Sequence, residues 1–138
     1  MNASWVKREK EGGDKHKPAR TILVVEDIDE TRLMMRLVLE LSGYCVLEAV
    51  DGQEAIEVAR RERPDLIIMD IGLPVVDGLT ATRLIREEAG SAEVPIVAVT
   101  ARGTAECRVK ALAAGCDEYV TKPINFDQLG TLLKRLLP

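Results

Sequence analysis

Several residue types are scarce in this chain of 138 residues, and each scarcity excludes a class of protein. The three cysteines, at positions 45, 107 and 116, form no Cys-x-x-Cys pair, which argues against a disulfide framework or a zinc site and favours reduced thiols in a cytoplasmic protein. No apolar run is long enough to span a bilayer and no apolar segment opens the chain, so we expect neither a membrane anchor nor export. Aromatic residues make up only 3%, so the core must be mainly aliphatic.

Charge divides the chain into two parts. Residues 1–20 carry six Lys or Arg against three Asp or Glu, whereas the remainder is acidic and the whole chain has a net charge of −4. So weak a basic excess favours a solvated, disordered arm over a nucleic-acid or membrane contact. The single histidine, His16, lies in this arm away from any acidic pattern, which favours a solvated residue. We therefore expect a tail over 1–20 and one folded domain over 21–138.

From residue 21 onward, short apolar runs alternate with helical patterns. The first helical pattern places Leu33, Met34, Leu37, Val38 and Leu41 on one face, and helix starts are indicated at Asp51 and Asn125. Five β–α units with short links predict an α/β fold with a parallel sheet and helices on both faces. The expected architecture is a flavodoxin-like doubly wound (βα)5 sheet with strand order 2-1-3-4-5. The predicted strands are 21–25, 44–50, 66–69, 94–99 and 118–121.

The informative polar residues stand where the predicted strands end. Glu26 and Asp27 follow strand 1, Asp70 follows strand 3, Thr100 follows strand 4 and Lys122 follows strand 5. Ligands of open α/β sheets bind beyond the carboxyl ends of the strands, where the strand order switches, so three carboxylates should meet in one cleft. Oxygen ligands without histidine or cysteine favour a hard cation, and we predict Mg²⁺.

This set of groups suits phosphoryl transfer. A carboxylate can attack phosphorus to give an aspartyl phosphate, and positioning with charge neutralisation supplies most of the catalysis. Lys122 can add a second positive charge and Thr100 a hydroxyl donor to a phosphoryl oxygen. Each residue alone has an ordinary explanation as a helix cap, turn or surface charge. Their coincidence at one rim of the sheet favours the functional interpretation.

Four segments from position 21 to the last residue resemble the receiver domain of response regulators in two-component signalling. They are Leu-Val-Val-Glu26-Asp27, Asp70-Ile-Gly-Leu-Pro with Asp77-Gly78, Val-Thr100-Ala101, and Tyr119-Val-Thr-Lys122-Pro123. Each segment is a modest signal, but the order and separations together are specific. The resemblance implies a phosphoacceptor signalling protein of the stand-alone, single-domain type.

The resemblance also implies residue roles at the metal and phosphorylation site. Asp70 would be the phosphoacceptor and would ligate Mg²⁺ together with Asp27 and the backbone carbonyl of Gly72. Glu26 would act mostly through a bound water, and Lys122 would pair with Asp70 and then with the phosphoryl group. Glu26 stands where Asp is commoner in the family, so its contact with the metal is expected to shift.

Further implied roles concern the switch and the rim of the cleft. Thr100 and Tyr119 would form a switch pair that changes the surface of helix 4, strand 5 and helix 5. The Lys122–Pro123 bond would be cis. Ala101 and Arg102 would lie at the rim, where Arg102 and the side-chain-free Gly72 are expected to alter the dephosphorylation rate.

Partners and alternatives follow from the same comparison. The phosphoryl group should come from a sensor histidine kinase, a histidine phosphotransfer protein or a small phosphodonor, and the output should be a protein target, with homodimerisation left open. A receiver cut from a hybrid histidine kinase is a close variant. A phosphatase with an aspartyl nucleophile would need a second Asp where Gly72 stands, and a dinucleotide binder would need GxGxxG. An interaction module that works without phosphorylation is a further class.

Overall fold

The computed structural model describes residues 19–73, 76–88 and 93–138. Most of the predicted tail, His16 and Pro74 lie outside the described residues. Within the described ranges, five strands alternate with five helices: β1 Thr21–Val25, α1 Asp29–Leu41, β2 Cys45–Ala49, α2 Gly52–Glu62, β3 Leu66–Asp70, α3 Gly78–Glu87, β4 Ile96–Thr100, α4 Ala105–Ala114, β5 Glu118–Thr121 and α5 Phe126–Leu136. None of the helices in these ranges is long and apolar enough to cross a membrane.

The strands form one parallel sheet in the order β2-β1-β3-β4-β5, which confirms the predicted topology. Val24 of β1 is in register with Ile68 of β3, which is in register with Val97 of β4. The chain winds in opposite directions from β1 and from β3, so the switch in strand order lies between these two neighbours. Their carboxyl ends therefore border the same crevice.

Two aliphatic clusters pack on the two faces of the sheet. The helices α2, α3 and α4 cover one face, where Ile56, Ala81 and Ile85 are buried against β3 and β4. The helices α1 and α5 cover the other face through Met35, Leu39 and two leucines of α5. Because β1, β3 and β4 are covered on both sides, their residues are apolar almost without interruption, as in other buried parallel strands.

Side-chain caps begin the helices where the sequence indicated. The Asp51 carboxylate accepts a hydrogen bond from the Glu54 N–H, and the Asn125 side chain accepts one from the Gln128 N–H. The reciprocal bond at Asp51 differs from a standard capping box, because Glu54 accepts from the Val50 N–H at 2.7 Å. These caps fix the entry of the chain into α2 and α5.

The apolar face predicted for α1 is not its buried face. Met35 and Leu39 pack into the core, whereas Leu33 and Leu37 are about half exposed and Leu41 is 79% exposed. Similarly, Val109 and Leu112 of α4 are exposed, and Ala111 and Ala114 make its contact with the core. Both helices carry apolar residues around most of their circumference, so periodicity could not select the inner side.

Two predicted strands are longer than the observed ones or shifted along the chain. β2 is confined to Cys45–Ala49, and β4 runs from Ile96 to Thr100. Asp70 and Thr100 are the last residues of their strands, in register with neighbouring strands, rather than the first residues of loops. The ladder therefore fixes the backbone of both residues, which determines where their side chains enter the crevice.

Candidate functional site

The carboxylate of Asp70 lies at the centre of the crevice. Asp70 ends the central strand β3, and its side chain is only 8% exposed. Its Oδ1 accepts a hydrogen bond of 3.0 Å from the Gly72 N–H, which fixes the side chain in the turn after the strand. A buried carboxylate requires such partners, because an ion without compensation in the interior is costly.

Glu26, directly after β1, is the second buried acid. Its N–H continues the sheet by donating to the Ala49 carbonyl at 3.0 Å, and its Oε2 accepts from the Ile28 N–H at 3.1 Å. Burial raises the pKa of the Glu26 carboxyl and the negative charge of Asp70 adds to this, although the bond from Ile28 and the ammonium of Lys122 oppose it. Glu26 is thus a carboxyl whose ionised form is disfavoured by its surroundings.

Lys122 bridges the two buried acids. Its Nζ lies 3.2 Å from Glu26 Oε1 and 3.3 Å from Asp70 Oδ2. Burial alone would lower the pKa of Lys122, but the hydrogen bonds and charges of the two carboxylates outweigh it and raise that pKa. The Lys122 N–H donates to the Thr100 carbonyl at 2.8 Å, and the Lys122–Pro123 peptide bond is cis, the geometry that the resemblance implied.

Asp27 completes a cluster of three carboxylates. One oxygen each from Glu26, Asp27 and Asp70 lies within 4.8 Å of the other two, although Asp27 itself is exposed. Three converging carboxylates with a single ammonium leave an excess of negative charge, and a hard cation satisfies both the charge and the oxygen donors. The residues present therefore fit Mg²⁺. The Gly72 N–H points to Asp70, and the ligand role of its carbonyl stays a prediction.

Thr100 and Tyr119 lie on neighbouring strands beside the cluster. The buried Thr100 Oγ1 accepts a hydrogen bond of 3.1 Å from the Arg102 N–H. The Tyr119 hydroxyl donates to the Arg102 carbonyl, so the backbone of Arg102 connects both members of the predicted switch pair. Burial raises the pKa of the Tyr119 phenol further above its ordinary value.

These groups surround a cleft of about 470 Å³ that opens to solvent. Its rim includes Gly72, Ala101 and Arg102, as expected from the sequence, and Glu26 lies behind Lys122 rather than on the surface of the cleft. The residues that line it are Asp27, Ile28, Asp70, Ile71, Gly72, Leu79, Thr100, Ala101, Arg102, Cys107, Lys110 and Lys122. The structure thus brings all of the predicted metal and phosphorylation residues together.

The sequence model of the response regulator receiver domain family matches residues 22–134. The chain belongs to this family. The matched range includes every residue of the cleft and all of the sheet and helices except Thr21 and the last two residues of α5.

Known proteins similar to this receiver domain differ in length. The phosphate regulon transcriptional regulatory protein PhoB of Klebsiella pneumoniae is 40% identical over 119 residues, which cover 86% of this chain and 52% of PhoB. The polar-differentiation response regulator DivK of Brucella anthropi is 34% identical over 118 residues, covering 86% of this chain and 96% of DivK. This chain therefore spans about half of PhoB but almost all of DivK.

A solved structure supports the same family at the level of the fold. The receiver domain of the sensor histidine kinase PA1611 from Pseudomonas aeruginosa PAO1 superposes with a TM-score of 0.81 and 38% identity, covering 86% of this chain and 98% of that one. That crystal structure has a magnesium ion coordinated in the active-site cleft.

Sequence reasoning missed several residues around the cleft of this receiver. Arg32 binds the backbone carbonyl of Glu26, and Ile28, Cys107 and Lys110 contribute to the lining. Nothing in the pattern of one sequence distinguishes Arg32 from the other arginines of a surface helix. Only the crossing of α1 over the end of β1 brings its guanidinium to the loop that carries the acids.

Proposed function

We propose that this receiver domain is a phosphoacceptor of a two-component system or phosphorelay and that Asp70 takes the phosphoryl group. The observation that carries the proposal is the buried Asp70 carboxylate, which is paired with Lys122 and forms a cluster with two further acids. This arrangement offers a nucleophilic oxygen together with a cation beside it.

The chemistry is an exchange of one bond to phosphorus for another. An oxygen of Asp70 forms a bond to the phosphorus of a phosphohistidine while the phosphorus–nitrogen bond breaks, and the leaving imidazole nitrogen takes up a proton from solvent. Lys122 and the hydroxyl of Thr100 bind the phosphoryl oxygens and orient the group. Water later cleaves the aspartyl phosphate. The domain thus assists its own phosphorylation and dephosphorylation and is not an enzyme that acts on a separate substrate.

Mg²⁺ is the cofactor that the donor set fits. Glu26, Asp27 and Asp70 would hold it, with the Gly72 carbonyl as a further ligand, and when bound it supplies positive charge that offsets the negative charge of the transferring group. The ammonium of Lys122 remains necessary, because a cation bound by three carboxylates does not neutralise the phosphoryl oxygens on its own.

The proposed output is a change of surface. On phosphorylation the Thr100 hydroxyl moves toward the phosphoryl group, which alters the connection through Arg102 to Tyr119 and shifts a two-state equilibrium of α4, β5 and α5. The bonds from the Arg102 N–H to Thr100 and from Tyr119 to the Arg102 carbonyl support this route. The downstream target would be a protein that distinguishes the two surfaces.

The donor is a protein with an exposed phosphohistidine on a helix, namely a sensor histidine kinase or a histidine phosphotransfer protein in the cytoplasm. The exposed apolar face of α1 supports this choice because it is continuous with the cleft. Ile28, the residue before α1, lines the cleft, and Met34 of α1 lines an adjoining groove of about 350 Å³ that shares Lys122 with the cleft. An amphipathic helix packed there would bring its histidine to the mouth of the cleft.

Labelling with a small phosphodonor tests the proposal. The wild-type chain is incubated with acetyl phosphate and Mg²⁺ and should give an acid-stable, base-labile phosphoprotein. Asp70→Asn or a chelator should abolish the label, whereas Asp127→Asn, which changes an exposed acid in the first turn of α5, should keep it.

Two results would contradict the proposal. An unlabelled wild-type chain that still binds a partner would favour an interaction module that works without phosphorylation. A label that persists in Asp70→Asn would place the phosphoryl group on another residue. A receiver cut from a hybrid histidine kinase would behave as the proposal expects, and the length of the native gene decides between these two forms.

A further inference from the structure

Arg32 makes three hydrogen bonds in three directions from the first turns of α1. Its Nη1 donates to the Glu26 carbonyl at 2.9 Å, its Nε to Glu48 Oε1 at 2.9 Å and its Nη2 to Asp29 Oδ1 at 2.7 Å. Its side chain is 15% exposed, although arginine side chains usually extend into solvent. Only a guanidinium has donors arranged to reach three such acceptors at once.

The bond to the Glu26 carbonyl matters most, because Glu26 follows β1 and is the last residue there that bonds to the neighbouring strand. The Glu26 N–H still bonds to the Ala49 carbonyl, and the Glu26 side chain bonds to Lys122 and the Ile28 N–H. Arg32 takes the carbonyl of the same residue. The peptide unit between Glu26 and Asp27 is therefore oriented by the guanidinium, since its carbonyl oxygen lies beyond the sheet.

Asp27 depends on that peptide unit for its position. It is exposed, and among the described residues no side chain or backbone group bonds to its carboxylate. Rotation of the Glu26–Asp27 peptide would move this carboxylate away from those of Glu26 and Asp70. The carboxylate of Asp27 therefore stays close to the other two acids only while the Glu26–Asp27 peptide keeps its orientation.

We propose that Arg32 is a positioning residue that sets the affinity of the cleft for a divalent cation by fixing the loop that carries Glu26 and Asp27. The inference rests on the proposed function, because it assumes that these acids bind Mg²⁺. Arg32 touches neither the cation nor the phosphoryl group. It ties the loop to its own helix α1, where the bond to Asp29 holds the guanidinium, and to the edge strand β2 through Glu48.

The sign of the effect separates positioning from simple electrostatics. Removal of a positive charge near an acidic cluster should tighten cation binding if only Coulomb attraction changes. Loss of positioning should weaken it, as loss of the partners that orient metal ligands commonly does, by about tenfold or more. The two mechanisms therefore predict changes of opposite direction for the same substitution.

Arg36 provides a matched control one turn further along α1. Its Nη1 donates to Glu48 Oε2 at 2.8 Å and its Nε to Glu40 Oε2 at 3.1 Å. It shares Glu48 with Arg32 and has the same charge, but it makes no contact with the loop of Glu26. Arg36→Ala thus removes a comparable ion pair from the same helix and leaves the loop intact.

The test measures Mg²⁺ binding by isothermal titration calorimetry on the full chain, with the melting temperature in EDTA recorded in parallel. We expect Arg32→Ala to raise the Kd for Mg²⁺ about tenfold, Arg36→Ala to leave it within about twofold, and Arg32→Lys to lie between them. Arg32→Lys keeps the charge and the fold, so the comparison holds even if Arg32→Ala is too unstable to titrate.

Three outcomes would overturn the inference. Arg32→Ala could bind Mg²⁺ as tightly as Arg36→Ala, it could bind more tightly than the wild type, or Arg32→Lys could match the wild type. A purely structural role would lower the melting temperature of Arg32→Ala without changing the Kd. Failure of the proposed function is a separate result, because the wild-type chain itself would then show no binding of Mg²⁺.

Discussion

The ammonium of Lys122 offsets the repulsion between the two buried carboxylates of Glu26 and Asp70. Its removal should have opposite effects on the affinity for Mg²⁺ and on the rate of phosphorylation. Without the ammonium, Glu26 and Asp70 attract a divalent cation more strongly, since charges this close interact by about 4 kcal/mol at an intermediate dielectric. Lys122→Ala should therefore bind Mg²⁺ roughly tenfold more tightly, a change of about 1.4 kcal/mol. Labelling by acetyl phosphate should slow by more than about tenfold, because a cation that binds the phosphoryl oxygens is gone.

Calorimetry and the rate of labelling check this pair of effects. Lys110→Ala, at the edge of the same cleft but paired with Glu106 at 3.7 Å, is the control and should change both quantities much less. Weaker metal binding in Lys122→Ala would contradict the electrostatic argument.

Glu26 should limit the stability of the metal-free chain at neutral pH. Burial raises its pKa in the folded state, so the folded chain holds this proton more readily than the unfolded chain does. The contribution of the protonated Glu26 to the stability of the fold is complete below the ordinary pKa of 4.5. It is lost as the pH rises through the higher pKa of Glu26 in the folded chain. Glu26→Gln cannot ionise and should therefore melt a few degrees higher than the wild type at pH 7 in EDTA.

The difference in melting temperature between Glu26→Gln and the wild type should disappear at about pH 4, where the wild-type carboxyl is protonated. Melting curves in EDTA across this range measure it. An equal difference at both pH values would mean that the gain has another origin. The same substitution should weaken Mg²⁺ binding, because one carboxylate of the cluster is lost.

At the scale of single elements, α1 has two apolar sides with different expected roles. Leu37 is half exposed and Leu39 is buried, so Leu39→Ala should cost about 2–5 kcal/mol of unfolding free energy and Leu37→Glu very little. Leu37→Glu should instead slow phosphotransfer from a phosphohistidine protein that labels the wild-type chain, while labelling by acetyl phosphate is unchanged. Equal rates with the protein donor would show that this face does not bind it.

The beginning of α3 lies against the end of β3, and this contact should couple helix packing to the phosphoacceptor. A Cβ at Gly78 would lie 2.7 Å from the Ile71 Cα and even closer to the Asp70 carbonyl oxygen. Backbone atoms cannot yield as a flexible side chain can, so Gly78→Ala should cost on the order of 2 kcal/mol and lower the labelling rate of Asp70.

Gly130, in the interior of α5, is the control for Gly78. A Cβ at Gly130 would meet nothing within 4 Å, so Gly130→Ala should stabilise the chain by about 0.5–1 kcal/mol through helix propensity. Denaturant unfolding of both variants gives the two free energies. A neutral Gly78→Ala would contradict the argument from close approach.

The buried face of a helix could be predicted from the sequence for α5 but not for α1. In α5 the polar and apolar residues are separated, and the apolar face with Leu129 and Leu133 is the buried one. In α1 the apolar residues surround most of the helix, so the pattern fits more than one orientation. The packing of Met35 and Leu39 against β1 and β3 decides between them, and that information resides in the partner strands.

At the scale of the whole molecule, the topology and the cleft could be predicted because they depend on few rules. Continuous apolar runs such as those ended by Asp70 and Thr100, alternating with helices, are typical of a parallel sheet, and a parallel sheet brings its carboxyl ends to one rim. The bonds that orient the loops could not be predicted. Arg32 reaches Glu26, and Tyr119 reaches Arg102, only through the relative placement of separate elements.

Mg²⁺ should stabilise the entire fold through its binding to the cleft. A ligand that binds only the folded state adds about 2.7 kcal/mol when its free concentration is a hundred times Kd. The melting temperature should therefore rise with added MgCl2, and Asp27→Asn should flatten this dependence with little change in EDTA, since its carboxylate is exposed. An increase of the same size in Asp27→Asn would place the bound cation elsewhere.

The scarcity of aromatic rings has a practical consequence for optical spectroscopy. The chain has one tryptophan and two tyrosines, and the Tyr119 phenol is hydrogen-bonded to the backbone beside the cleft. Tyr44 precedes β2 at the opposite rim of the sheet, where it packs against the buried cluster that includes Leu39. Of the two phenols, one thus lies beside the cleft and one at the opposite rim, so Tyr119 is a native, label-free reporter in difference spectra of the phenol band, in which the indole of Trp5 also absorbs.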